Sequence, residues 1–276
     1  GQSWNVISPD LTRNEAEKLG PSGGPITKDN TAVEYYATIF AACESPYEKD
    51  LLWAASDDGL INVSKDGGDN WENVTPLNAP NHIMWNSVEP DPFTKGGLYV
   101  AGTLYKTGNY SPYLYKTKDY GKTWIKITNG IPNNFFTRVL RADPKREGLL
   151  YSGTESGMFI SFDDGTSWNS LQLNLPLVPI TDLALKDDNL IISTQGRSIW
   201  IIDDLGPIHQ INKEIENSNF HIFSPIDSYK MGSRGWGGES ASAGKNHHNG
   251  VEVFFNINKN IINDSSNISL EFLDKN

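Results

Sequence analysis

The 276-residue chain contains one cysteine, Cys43, so no internal disulfide can form. No Cys-His signature accompanies that thiol, and its place in the apolar run YYATIFAACESP reads as a buried structural residue rather than a nucleophile. Positive charge is scarce as well. Lys and Arg number 23 against 34 Asp and Glu, a formal charge of −11. Such a surface disfavours nucleic acid and anionic membrane and leaves neutral glycans or cationic partners as ligands. No run of about twenty apolar residues occurs, so no segment reads as a membrane-spanning helix. Histidine is sparse, and the adjacent His247 and His248 have no carboxylate or cysteine at metal-ligand spacing. Neither a metal nor a cofactor is expected.

What the chain does contain is a repeat. The stretch SKDGGDNW (residues 64–71) returns as TKDYGKTW (117–124) and SFDDGTSW (161–168), and GQSW (1–4) is the last half of a further copy. The common pattern is [Ser/Thr]-x-Asp-x-Gly-x-x-Trp, and each copy lies between two short β-like runs. Gly68, Gly121 and Gly165 suit the positive-φ position of a tight turn between antiparallel strands. Asp66, Asp119 and Asp163 suit acceptors for backbone N–H groups across that turn, with the hydroxyls of Ser64, Thr117 and Ser161 completing the network. Trp71, Trp124 and Trp168 open the outgoing strand with a large apolar face. All four roles are structural.

The tryptophans recur at intervals of roughly 45–55 residues, the length of a four-stranded β-propeller blade. The expected fold is therefore all-β: an Asp-containing-turn propeller with about four blades present, followed by the start of a β-sandwich. Residues 1–213 read as blades, at about 33–75, 82–128, 136–174 and 179–213, the last without the Trp of the turn. Residues 8–32 form a long polar connection in which RNEAEKLG reads as a short helical turn. Residues 214–249 read as a connector, and 250–276 as two strands that begin a sandwich domain. The chain opens within a repeat, so further blades of the same protein are expected before residue 1 as its structural partners.

At this point the repeat resembles the Asp-box (BNR) repeat of sialidases, xyloglucan-cleaving glycoside hydrolases and the luminal propeller of sortilin-type (VPS10) receptors. The segments SPDLT, GPITKDNTAVEYYATIFA, SDDGLINVSKDGGDNW, PYLYKTKDYGKTW and GRSIWIIDD together look like a large bacterial family usually labelled sortilin-like or BNR-repeat glycosyl hydrolase. The resemblance covers about residues 1–213. It implies a secreted, periplasmic or cell-surface protein, and a functional face opposite the Asp-box turns.

With a blade's strands named A to D from the centre outward, the turns of the repeat join C to D and share a face with the A–B turns. The opposite face carries the B–C and D–A loops. Asp58 and Glu155 of the B–C turns, Asp29 of the long connection and Glu34 at the start of the innermost strand are the candidate catalytic carboxylates. Tyr35, Tyr36, Arg138 and Arg197 are the candidate ligand-binding residues. A sialidase would need three clustered arginines, which Arg138, Arg141 and Arg197 do not provide in sequence. The expected function is binding of a glycan or a protein ligand on this loop face. The alternative is a glycoside hydrolase using paired carboxylates at the same mouth, so the sequence leaves the question of catalysis open.

Overall fold

In a computed structural model of the chain, residues 3–29, 35–228, 250–263, 267–271 and 273 are described. They form two units, one of residues 1–186 and 190–201, the other of residues 187–189 and 202–276.

The first unit is a series of antiparallel β-sheets of propeller type. Strands β1 (Ile39–Glu44), β2 (Leu52–Ser56), β3 (Ile61–Ser64) and β4 (Glu72–Asn73) make blade 1 in sequential order. Blade 2 is β5 (Met84–Pro90), β6 (Leu98–Leu104), β7 (Asn109–Thr117) and β8 (Ile125–Lys126). Blade 3 is β9 (Thr137–Ala142), β10 (Leu150–Thr154), β11 (Gly157–Ser161) and β12 (Asn169–Ser170). Blade 4 has three strands, β13 (Ile180–Lys186), β14 (Asn189–Thr194) and β15 (Ile199–Ile202). It lacks the turn of the repeat, and no outer strand is present among the described residues. Inner strands pack in succession, β1 on β5, β5 on β9 and β9 on β13.

A blade held between two neighbours buries both faces, so its strands show no polar alternation. Leu98 to Thr103 of β6 are all buried. The layer between blades 1 and 2 holds Trp53, Ile61, Val63, Trp85, Leu98 and Tyr115. The next layer holds Tyr99, Leu114, Leu140, Leu150, Phe159 and Trp168. In β13 only Ile180 and Leu183 are buried.

Within the repeated turn, the Asp carboxylate and the Ser/Thr hydroxyl are fully engaged. Asp119 Oδ1 accepts from Thr117 Oγ1 (2.8 Å) and Thr123 N (2.9 Å), and Oδ2 accepts from Thr123 Oγ1 (2.6 Å). Thr117 Oγ1 accepts from Gly121 N (3.0 Å). The same bonds recur around Asp66 with Ser64 and Asn70, and around Asp163 with Ser161 and Ser167. Donation from Asn70 and Ser64 holds the Asp66 carboxyl below its usual range. For Asp119 and Asp163 burial is the largest single influence and pushes upward, but the hydrogen bonds from Thr123 and Ser167 outweigh it.

The turn also ties each blade to the segment that precedes it, which for blades 2 and 3 is the outer margin of the neighbouring blade. Trp71 Nε1 donates to Ile7 O (2.9 Å), Trp124 Nε1 to Val74 O (2.7 Å) and Trp168 Nε1 to Ile127 O (2.7 Å). Each acceptor lies three residues after the preceding Trp of the series, Trp4, Trp71 and Trp124. The turn glycine seats on the same neighbour, and a Cβ on Gly121 would stand 2.5 Å from Val74 Cβ.

Each of the first three inner strands shifts register by one residue near its start, leaving Phe40, Asn86 and Arg138 outside the ladder. Such a bulge re-aims the extra side chain.

In the second unit, α2 (Gly206–Gln210) and α3 (Lys213–Glu216) are single turns that follow a one-turn α1 (Gly24–Thr27) in chain order. Asn212 Oδ1 caps α3 by accepting from Ile215 N (2.9 Å). Strand β16 (Phe220–Ile222) pairs with β17 (Phe255–Ile257). The sequence suggested that β17 would pair with the segment after residue 266. Here residues 267–271 carry no strand, and β17 instead takes a partner from the connector, where Phe220 and Phe255 bring their rings to 6.2 Å. Alternation within 250–260 signals a strand but says nothing of its partner. His247 and His248 lie outside the described residues.

Candidate functional site

The two faces of the first unit are separated by their turn contacts. Gly67 N, Tyr120 N and Asp164 N, in the turns of the repeat, donate to Asp50 O, Gly96 O and Gly148 O of the A–B turns. On the other side, B–C turns join the starts of inner strands: Asp57 N donates to Thr38 O (3.0 Å), Glu155 N to Phe136 O (3.0 Å) and Gln195 N to Pro179 O (2.9 Å).

Two hollows open on this second face and share Tyr36 as a wall. One, of about 370 Å³, lies against the long connection and is bordered by Lys18, Pro21, Ser22, Asp29 and Tyr35. The other, of about 240 Å³, lies between blades 1 and 2 and is bordered by Asp57, His82, Met84, Leu104 and Tyr105. Asp29 accepts from Thr27 Oγ1 (2.9 Å) and pairs its backbone with Ser22. Tyr35 is 63% exposed, so most of its ring is open to a ligand. The Tyr36 hydroxyl lies 3.1 Å from His82 Nδ1, and His82 Nε2 lies 3.0 Å from Lys18 Nζ. Lys18 also forms an ion pair with Glu15. Burial, then the charges of Asp58 and Asp57, push the Tyr36 phenol above its usual range, so it stays protonated.

A second group joins the first through Tyr105. Arg138, set out of the ladder by the β9 bulge, donates from Nη2 (2.6 Å) and Nε (2.8 Å) to Glu155 Oε2. Its guanidinium lies 5.1 Å from the Phe136 ring centroid and 5.8 Å from that of Tyr105. Tyr105 stacks on Phe136 at 4.9 Å with 10° between planes.

Asp29, Tyr35, Tyr36, Arg138 and Glu155 thus all border one face. Asp58 requires a correction. It is 1% exposed, not open to the mouth. Ser56 Oγ donates to its Oδ1, and Arg13 N donates to Oδ2 (2.7 Å) while Arg13 Nε donates to Asp58 O (2.8 Å). Its work is to pin the long connection to blade 1. Arg197 stands apart on blade 4, exposed, with Nη1 on Gly196 O (2.9 Å). Glu34 lies outside the described residues. Arg141 belongs to the inner strands and spans to Asp182 (2.7 Å) and Glu89 (3.7 Å). Cys43 is half-buried on β1, and burial, then Glu89, push its thiol up to about 12, which leaves it unreactive.

Sequence reasoning missed His82, Met84 and Tyr105. The blade 2 B–C turn is a 3₁₀ turn, Tyr105–Thr107, and the longer middle of that repeat copy was its only signal. His82 is placed by packing: Gly59 sits so close that a Cβ would stand 3.1 Å from His82 N.

No family model and no curated protein matches the chain. Among solved structures it is similar to YCF48 bound to D1 peptide, at 18% identity and TM-score 0.46, over 60% of this chain and 52% of that one. It is also similar to the GH74 xyloglucanase from Xanthomonas campestris, at 16% identity and TM-score 0.44, over 56% and 25% of the two chains. The Niastella koreensis GH74 enzyme gives 16% and 0.47, over 69% and 31%. The chain spans about half or less of the length of these proteins. At these identities and TM-scores the likenesses carry no information on ligand or chemistry.

Proposed function

We propose that the chain is a ligand-binding propeller of the sortilin-like kind, carried by a secreted or cell-envelope protein, which holds a glycan or a protein segment on its B–C/D–A face. The observation behind this reading is how the carboxylates of that face are used. Asp58 is buried with both oxygens taken, and Glu155 spends Oε2 on Arg138. Acid/base glycoside hydrolysis needs two carboxyl groups facing one substrate bond at a set separation. The aromatic and polar groups around the two hollows suit recognition instead. Incubation with a panel of soluble polysaccharides, assayed for both affinity and reducing-sugar release, tests this. Affinity that falls in Arg138→Ala without sugar release is expected. Release that depends on Glu155 or Asp29 would replace binding with hydrolysis.

A further inference from the structure

The smaller hollow carries a hydrogen-bonding pattern that identifies a ligand class. Lys18 Nζ lies 3.0 Å from His82 Nε2. An ammonium group only donates, so against Lys18 the Nε2 atom takes the acceptor role and the ring's N–H is at Nδ1. Nδ1–H therefore donates to the Tyr36 hydroxyl oxygen at 3.1 Å. The phenol's own hydrogen is left for another acceptor. Asp57, also in the wall, accepts from Thr38 N through Oδ1 (2.9 Å), and its Oδ2 has no protein donor among the described residues. The hollow thus offers the Tyr36 O–H as a placed donor and Asp57 Oδ2 as a placed acceptor, with the ammonium of Lys106 also in the lining. Tyr105 adds a flat wall, braced from behind by the buried Phe136.

Size and charge narrow the choice. Pockets for drug-sized ligands measure about 300–1,000 Å³, and this smaller hollow of about 240 Å³ suits a single ring. Asp57 and Lys106 give the lining one carboxylate and one ammonium group. The two opposite charges leave the lining with no net charge to draw an ion of either sign. A purely apolar side chain would leave the Tyr36 hydroxyl and Asp57 Oδ2 dry and unpaired, which is unfavourable. A neutral ring with hydroxyls on its edge and C–H groups on its face satisfies all three walls. C–H groups carry the positive partial charge that the negative face of an aromatic ring attracts.

We propose that the hollow between blades 1 and 2 is a subsite for one unit of a neutral sugar chain. The C–H face of the sugar rests on Tyr105, one hydroxyl accepts from Tyr36, and another donates to Asp57 Oδ2. The assignment rests on the loop-face reading above and gives it a substrate class.

Calorimetric titration of the whole chain with maltohexaose, cellohexaose and mannohexaose, and with pentalysine as a peptide probe, tests it. At least one hexasaccharide should bind. Tyr36→Phe keeps the ring and removes only the hydroxyl, so affinity for that sugar should fall about three- to tenfold with the melting temperature unchanged. Tyr105→Ala should weaken it by more than about tenfold. Sugar binding that survives both changes but is lost in Arg138→Ala would overturn the subsite and keep the face. Binding of pentalysine and of no sugar would overturn the ligand class alone. Binding of no probe by the folded chain would count against the subsite, and the polysaccharide panel then tests the face separately.

Discussion

The indole N–H of Trp168 donates to the carbonyl of Ile127 at 2.7 Å, and the two residues belong to different blades. Trp168 is also 3% exposed, so its ring fills the layer between blades 2 and 3. Two losses can therefore be separated. Trp168→Phe keeps most of the packing and leaves Ile127 O unpaired, at a cost of about 1–2 kcal/mol. Trp168→Ala also empties the layer, for about 3–5 kcal/mol. Urea unfolding of both variants measures the difference, and equal losses would mean that the hydrogen bond alone carries the joint.

Gly121 and Gly108 have nearly the same φ, +80° and +83°. A Cβ on Gly108 would meet nothing within 4 Å, whereas one on Gly121 would run into Val74 of blade 1. Gly108→Ala should thus cost only backbone strain, about 1 kcal/mol. Gly121→Ala should cost clearly more, since Val74 belongs to a packed layer that must shift. Matching melting temperatures for the two variants would show that the blades slide freely past that contact.

Glu155→Gln removes the charge opposite Arg138 without changing side-chain size. Ligand affinity on the loop face should weaken by about 1–3 kcal/mol, the scale of a lost charged hydrogen bond, with little change in melting temperature. Unchanged affinity for a bound polysaccharide would place the ligand away from Arg138.

Glu89, on β5, is pushed up to about 7 by burial, against a smaller opposing pull from Arg141 and the backbone N–H of Ala142. Asp182, Cys43 and Tyr47 are the other titratable groups near it. A carboxyl group with a raised folded-state pKa binds more protons in the folded than in the unfolded chain. Its contribution is full below the unfolded value, about 4.5, and is lost as pH rises to about 7. Glu89→Gln should therefore gain stability relative to the parent as pH rises from 4 to 8. With 22% of the side chain open to water, the gain is discounted to about 1–2 kcal/mol. Chemical unfolding at a series of pH values should show the two curves diverging over that window. Parallel curves would mean that Arg141 keeps Glu89 ionised throughout.

The repeated turn was legible because its chemistry is local. Asp119, Thr117 and Gly121 find their partners within a few residues, and their spacing states the bonds. The residue before each Trp belongs to the same network, as Asn70, Thr123 and Ser167 show, and the three aligned copies already carry a hydrogen-bonding side chain there. The site was less legible because its geometry is not local. Asp58 sits in an ordinary turn sequence, and only Arg13, far away in the chain, decides that it is buried. Arg138 reaches Glu155 because a register shift removes it from the ladder, and register is a property of two strands together. His82 owes its position to Gly59.

The partners of Trp124 and Trp168 lie at the outer margin of the neighbouring sheet, three residues past that sheet's own tryptophan. The self-contained module is therefore not a sheet. It is a staple made of one sheet's outer margin and the next sheet's hairpin. Recombination that cut between sheets would sever every staple it touched. A cut within the outer strand, between Trp124 and Ile127, would leave the Val74–Trp124 and Ile127–Trp168 staples whole on either side. A one-residue deletion between Trp124 and Ile127 would spare the hairpin of its own sheet and loosen the following one, so damage should surface one repeat downstream of the lesion.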